Sequence, residues 1–230
     1  MQRFMLDPAH SEIRHHFQQS PVLPPPVLET RILSLNDEQR SLFDRITACL
    51  EREEVFRFHV DAAAGCGKIL LCQTILHLIR SVDKIGLCCA TTGIAALQYE
   101  SARTAHSLFH LPTTEEKDSD GRINSRLMQI LEVGRTNTRI ELLRNASVIV
   151  WDEIGMCHRM LYEAVDRLLR AIMGTPNSPF GGKNMITLGD LRQPEASSFV
   201  LSPLWGSFAI FPLNERVEKK NVPFTIFHLN

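Results

Sequence analysis

The stretch that most constrains this chain is Asp61-Ala62-Ala63-Ala64-Gly65-Cys66-Gly67-Lys68-Ile69. Before it, Val55 to Val60 alternates apolar and polar residues with the period of a strand. After it, Leu70 to Ile79 is an apolar stretch of helical length. Strand, small-residue loop and helix form the opening unit of an α/β nucleotide-binding fold. In such a loop Gly65 and Gly67 let backbone N–H groups wrap phosphates at a helix N-terminus, and Lys68 neutralises the β- and γ-phosphates. Alone the pattern is weak, and a structural glycine turn reads equally well. It departs from G-x-x-x-x-G-K-[ST] at Ala62 and at Ile69, and Ile69 offers no hydroxyl to a magnesium ion.

The rest of the chain repeats the rhythm. Asn36 or Ser34 can cap a helix carrying Leu42, Ile46 and Leu50 at helical spacing. Ile85 to Ala90 reads as a buried strand, followed by a short helix at Ile94 to Tyr99 and a polar loop at Glu115 to Arg122. Ser147 to Trp151 is another buried strand, Leu161 to Met173 an amphipathic helix, and Met185 to Leu188 a further strand. Apolar strands separated by helices imply a mostly parallel sheet with helices on both faces.

Two of these strands end in polar residues. Asp152-Glu153 follows one; Gly189-Asp190-Leu191-Arg192-Gln193 follows the other. Ligands of open α/β sheets bind at that edge. There Asp152 can hold magnesium through water, and Glu153 can orient or deprotonate an attacking water. The bland alternative for the pair is a solvated helix cap.

Composition narrows the class. With 44% hydrophobic and 22% charged residues, 230 residues can bury a core without staples. A formal net charge of −1 argues against a highly basic architectural DNA protein, yet leaves room for a local groove holding a single strand. The six cysteines form no C-x-x-C pair, so a buried, reduced set in a reducing compartment is expected over a metal site or disulfides. No apolar run suggests a secretion signal or a membrane span. Residues 1–32, with Pro24-Pro25-Pro26, read as a tail without packed structure, and 33–230 as the folded domain.

These motifs together resemble the PIF-type and Helitron DNA helicases. Leu35-Asn36-Asp37-Glu38-Gln39 is similar to their adenine-side glutamine motif. Ala90-Thr91-Thr92-Gly93-Ile94-Ala95-Ala96 and Arg103-Thr104-Ala105-His106-Ser107 are similar to their single-strand DNA motifs. Trp151-Asp152-Glu153-Ile154-Gly155-Met156 resembles their Walker B element. Pro179-Phe180-Gly181-Gly182-Lys183 followed by Gly189-Asp190-Leu191-Arg192-Gln193 resembles their third motif with its lead-in. The resemblance runs from about Leu33 to Arg216 and implies a P-loop NTPase of RecA-like fold, the first motor domain of a superfamily 1 helicase, with ATP and Mg2+ as cofactors and single-stranded DNA as partner.

By that resemblance Gln39 reads the adenine; Gly65, Cys66, Gly67, Lys68 and Ile69 form the phosphate loop. Asp152 is the magnesium residue, Glu153 the water residue and Gln193 the γ-phosphate sensor. Thr92, Gly93, Thr104 and His106 lie along the DNA strand, and Arg216 belongs to a motif directed at the γ-phosphate. A nuclear location is expected, with mitochondrial or cytoplasmic as alternatives.

The chain departs from the family pattern in three places. Ala62, Ala64 and Ile69 alter the loop, where two methyl groups are expected to crowd the phosphates; the stretch after Gln193 is short; and no second motor domain follows Asn230. Two readings compete: an ATP-dependent helicase, present as a truncated or degenerate copy and completed by a second motor domain or subunit, or a remnant that holds nucleotide or single-stranded DNA without turnover. A purely structural α/β protein is the third.

Overall fold

The computed structural model describes residues 11–111, 138–190, 209–210 and 225–229. Seven strands form one sheet: β1 (Arg57–Ala62), β2 (Ile85–Ala90), β3 (Arg103–Thr104), β4 (Ala146–Asp152), β5 (Asn184–Gly189), β6 (Ala209–Ile210) and β7 (Thr225–Leu229). Their spatial order is β3-β2-β4-β5-β1-β7-β6, and every pairing is parallel. The expected α/β fold with a parallel sheet is borne out.

Period-two alternation explains why the sheet is covered twice. Along β4, Val148 and Val150 join one apolar cluster while Ile149 and Trp151 join the other. The first cluster takes in α3 (Asp37–Glu51) and α4 (Lys68–Ser81). The second takes in α6 (Ala105–Phe109), α7 (Thr138–Asn145) and α8 (Arg159–Met173), together with α1 (Ser11–Gln19). A short helix, α5 (Gly93–Ala96), follows β2.

Local chemistry sets the helix ends. Asn36 opens α3 with a capping box: its side chain accepts from the Gln39 N–H, and Gln39 Oε1 accepts from the Asn36 N–H. Gly174, at φ 67°, closes α8 in the left-handed conformation that glycine adopts without steric cost.

The segment expected to lack packed structure is instead helical in two places. In α1, Ile13 and Phe17 stand four residues apart, on one face, and both are buried in the second cluster. In α2 (Pro25–Leu33), Pro25 and Pro26 fall in the first turn, where a helix needs no N–H and a fixed φ helps. The proline run therefore starts a helix and does not continue as polyproline. Among the described residues no helix is long and apolar enough to cross a membrane.

Candidate functional site

The register brings the strand ends to one edge. Ala90 pairs with both Thr104 and Asp152, and Asp61 pairs with Gly189. Because β5 lies between β1 and β4, the loop after β1 faces the acids after β4 across Gly189-Asp190. A Cβ on Gly189 would sit 3.4 Å from the Gly155 nitrogen, so the ends of β4 and β5 approach closely.

Two glycines shape the loop after β1. Gly65 (φ 87°) and Gly67 (φ 75°) both lie in the left-handed region, and Gly67 caps the N-terminus of α4. Ala62 and Ala64 are not among the residues with positive φ. Neither alanine therefore strains the loop's backbone, and Ala62 ends β1 in extended conformation, where a methyl group is tolerated. Lys68 Nζ donates to the carbonyls of Ala62 (2.6 Å) and Ala63 (2.9 Å), bracing the loop across its mouth. An ammonium has three protons, so one remains for a phosphate oxygen. Ile69 turns its side chain to the apolar cluster beneath α4.

Gln39 reaches this loop from α3. Its Nε2 donates to the Cys66 carbonyl (2.9 Å), and a Cβ on Gly67 would sit 2.3 Å from that nitrogen. The residue expected to read adenine is therefore also a brace for the loop, and a side chain at Gly67, strained by its φ, would also displace the Gln39 amide.

Asp152 is buried at the end of β4. Tyr99 Oη donates to its Oδ2 (2.7 Å), and the Glu153 N–H donates to its Oδ1 (2.8 Å). Burial raises its pKa; the hydrogen bonds from Tyr99 and Glu153 and the charge of Lys68 oppose that rise. Glu153 takes a left-handed backbone (φ 52°), and its Oε2 accepts from Thr92 Oγ1 at 2.6 Å. Beside it, Thr91 N–H donates to the Asp152 carbonyl, and Trp151 Nε1 donates to Thr91 Oγ1.

Of the residues assigned to the strand, Thr92 caps α5 and Thr104 caps α6. A Cβ on Gly93 would lie 4.0 Å from Thr104 Cγ2, so the two motifs meet. His106 lies half-buried in the first turn of α6. Gln193 and Arg216 lie outside the described residues. The lead-in Pro179 to Lys183 sits before β5, at the opposite edge. Phe180 is fully buried against Tyr162, and Lys183 Nζ donates to the carbonyls of Arg144 and Ala146.

Sequence reasoning does not single out Tyr99, although its hydroxyl donates to Asp152. Its position at the end of a predicted helix carries no polar signal. The Asp61–His228 pair (2.8 Å) also escapes it, because 167 residues separate its members. Among the described residues no three His, Cys, Asp or Glu side chains gather to hold a metal ion by themselves, and none of the six cysteines is disulfide-bonded.

Comparison with known proteins agrees with this geometry. A family model described as PIF1-like helicase matches residues 34–221. The ATP-dependent DNA helicase PIF4 of Trypanosoma brucei brucei is 33% identical over 162 residues, which cover 70% of this chain and 18% of the relative. The ATP-dependent DNA helicase PIF6 of the same organism is 30% identical over 137 residues, covering 58% of this chain and 16% of the relative. The chain thus spans under a fifth of the length of either relative. A crystal structure of Bacteroides sp Pif1 in complex with ADP-AlF4 superposes with a TM-score of 0.54 at 27% identity, over 85% of this chain and 41% of that one.

Proposed function

The chain belongs to the PIF1-like helicase family, and from that premise we propose that it is the nucleotide-binding motor domain of an ATP-dependent DNA helicase. One observation carries the proposal: Gly65, Gly67 and Lys68 form a braced loop at the N-terminus of a 14-residue helix, on the same sheet edge as Asp152 and Glu153. Its relatives PIF4 and PIF6 are ATP-dependent DNA helicases by name, and the superposed Bacteroides protein holds ADP-AlF4.

In this reading the N–H groups of the loop and the third proton of Lys68 take the phosphates. Gln39 keeps the loop in shape through Cys66 and faces the base. Glu153 orients the attacking water once its carboxylate is free to do so. Single-stranded DNA follows the motif residues Thr92, Gly93, Thr104 and His106, with the hydroxyls as donors to its backbone.

Magnesium fits as an ion with one protein carboxylate. Asp152 would hold it through water at the sheet edge. When bound it offsets the charge of the β- and γ-phosphates. Ile69 supplies no ligand to it.

A second reading, nucleotide and strand binding without turnover, is favoured by Ile69, whose side chain serves the core. Two measurements on the purified chain test both. The first is calorimetric titration with ATP and ADP, comparing the wild type with Lys68→Ala. Binding should weaken by about tenfold or more in the variant, the worth of one charge-assisted contact. Equal affinity, or none in the wild type, overturns the site. The second is ATP hydrolysis with and without oligothymidylate. Strand-stimulated turnover lost in Lys68→Ala supports the motor; binding without turnover supports the second reading.

A further inference from the structure

The hydrogen bond between Thr92 and Glu153 joins a residue of the strand motif to the residue that orients water. Thr92 Oγ1 accepts from the Ala95 N–H (3.3 Å) as the cap of α5 and donates to Glu153 Oε2 (2.6 Å). A hydroxyl has one proton to give. Phosphate oxygens of a DNA strand accept and do not donate, so the hydroxyl cannot serve Glu153 and a strand phosphate at once. The frame around the pair is stiff: β2 and β4 are adjacent, Ala90 pairs with Asp152, and Thr91 is bonded to both Asp152 and Trp151. Exchange of one proton donor is thus the simplest change that a strand can make here.

We propose that Thr92 is a positioning residue that couples the strand track to the nucleotide site. Without a strand its hydroxyl holds the Glu153 carboxylate away from the water position. When a strand phosphate takes that hydroxyl, Glu153 is released toward the nucleotide. The proposal rests on the reading of this edge as a nucleotide and strand site. It adds a direct competition between Glu153 and the strand for one proton.

Competition of this kind predicts a gain of binding from a loss of side chain. Removing the acceptor in Glu153→Ala frees Thr92, so fluorescent oligothymidylate should bind about tenfold more tightly, as expected for one hydrogen bond to a charged group. Thr92→Val should bind the strand more weakly than wild type, and Thr92→Ser should behave as wild type. In the Thr92→Val background, Glu153→Ala should bring no gain. Such a non-additive cycle is what a shared proton predicts and what a merely structural threonine does not. Equal gains in both backgrounds would mean that removal of negative charge alone tightens binding, and would overturn the coupling while leaving the strand site standing. Absence of oligothymidylate binding in every variant would overturn the strand site and the coupling with it.

Discussion

Ile69 shows how one side chain divides two roles. In the proposed reading a hydroxyl at the first turn of α4 would face the phosphates, whereas the isoleucine packs on the apolar cluster below. Ile69→Thr should raise nucleotide affinity in magnesium by about tenfold and leave affinity in a chelator unchanged, since the gain is one ligand hydroxyl. It should also cost about 1 kcal/mol of stability from lost apolar burial. Titrations in magnesium and in EDTA check this; equal gains in both would show that the loop, and not the ion, had changed. Adding Ala62→Gly should bring nothing further, because Ala62 needs no positive φ and is fully buried. Lys68, Asp152 and Glu153 are legible in the sequence because each follows a strand in a spaced motif. Tyr99 is not, since nothing in Leu97-Gln98-Tyr99-Glu100 announces that its hydroxyl meets Asp152.

Strands and helices with strong periodicity are legible nearly to their ends. β2 spans Ile85–Ala90 as expected, and α8 covers the predicted amphipathic stretch. α1 and α2 escape for different reasons: α1 buries only a few residues among polar and histidine neighbours, and α2 begins at prolines that have two opposite meanings. Motif resemblance also hides a division of labour. The lead-in Pro179 to Lys183 holds the far end of β5 in place. Phe180 N–H donates to Asp166 Oδ1, and a Cβ on Gly181 would fall 2.4 Å from the Leu169 carbonyl oxygen. Gly181→Ala, at φ 63°, should therefore destabilise the fold by about 2 kcal/mol or more. Urea denaturation measures the loss, and a shift below about 0.5 kcal/mol, the range of a neutral surface change, would contradict the contact.

Two buried histidines tie the stability of the whole domain to pH. His59, in β1, is pushed down to about 3 by burial against the opposing charge of Asp61, and its Nδ1 meets Thr187 Oγ1 at 3.0 Å. His16, in α1, is pushed down to about 4 by burial and then by Arg80 and Arg103. Both folded values lie below the ordinary 6.5, so the unfolded chain binds more protons in between. Stability should be full above pH 6.5 and fall as pH drops toward 4, by roughly 1.4 kcal/mol per pH unit for each histidine. Denaturation midpoints at neutral pH and at pH near 5 test this, and His16→Asn should make the slope shallower. A midpoint that stays constant would show that both rings take up protons in the folded state as readily as in the unfolded chain.

The amino-acid order alone carries the parallel α/β fold, the glycine loop after β1 and the acids that follow β4. Each depends on a local period or on a few residues at fixed spacing, and such signals survive without knowledge of neighbours. Tertiary packing decides which hydroxyl meets which carboxylate. Thr92 reaches Glu153 across 61 residues and Tyr99 reaches Asp152 across 53, because parallel pairing of β2 with β4 sets their ends side by side. Pairings of that separation leave no periodic trace in a sequence, since the chain between them can vary freely so long as both strands enter the sheet in register.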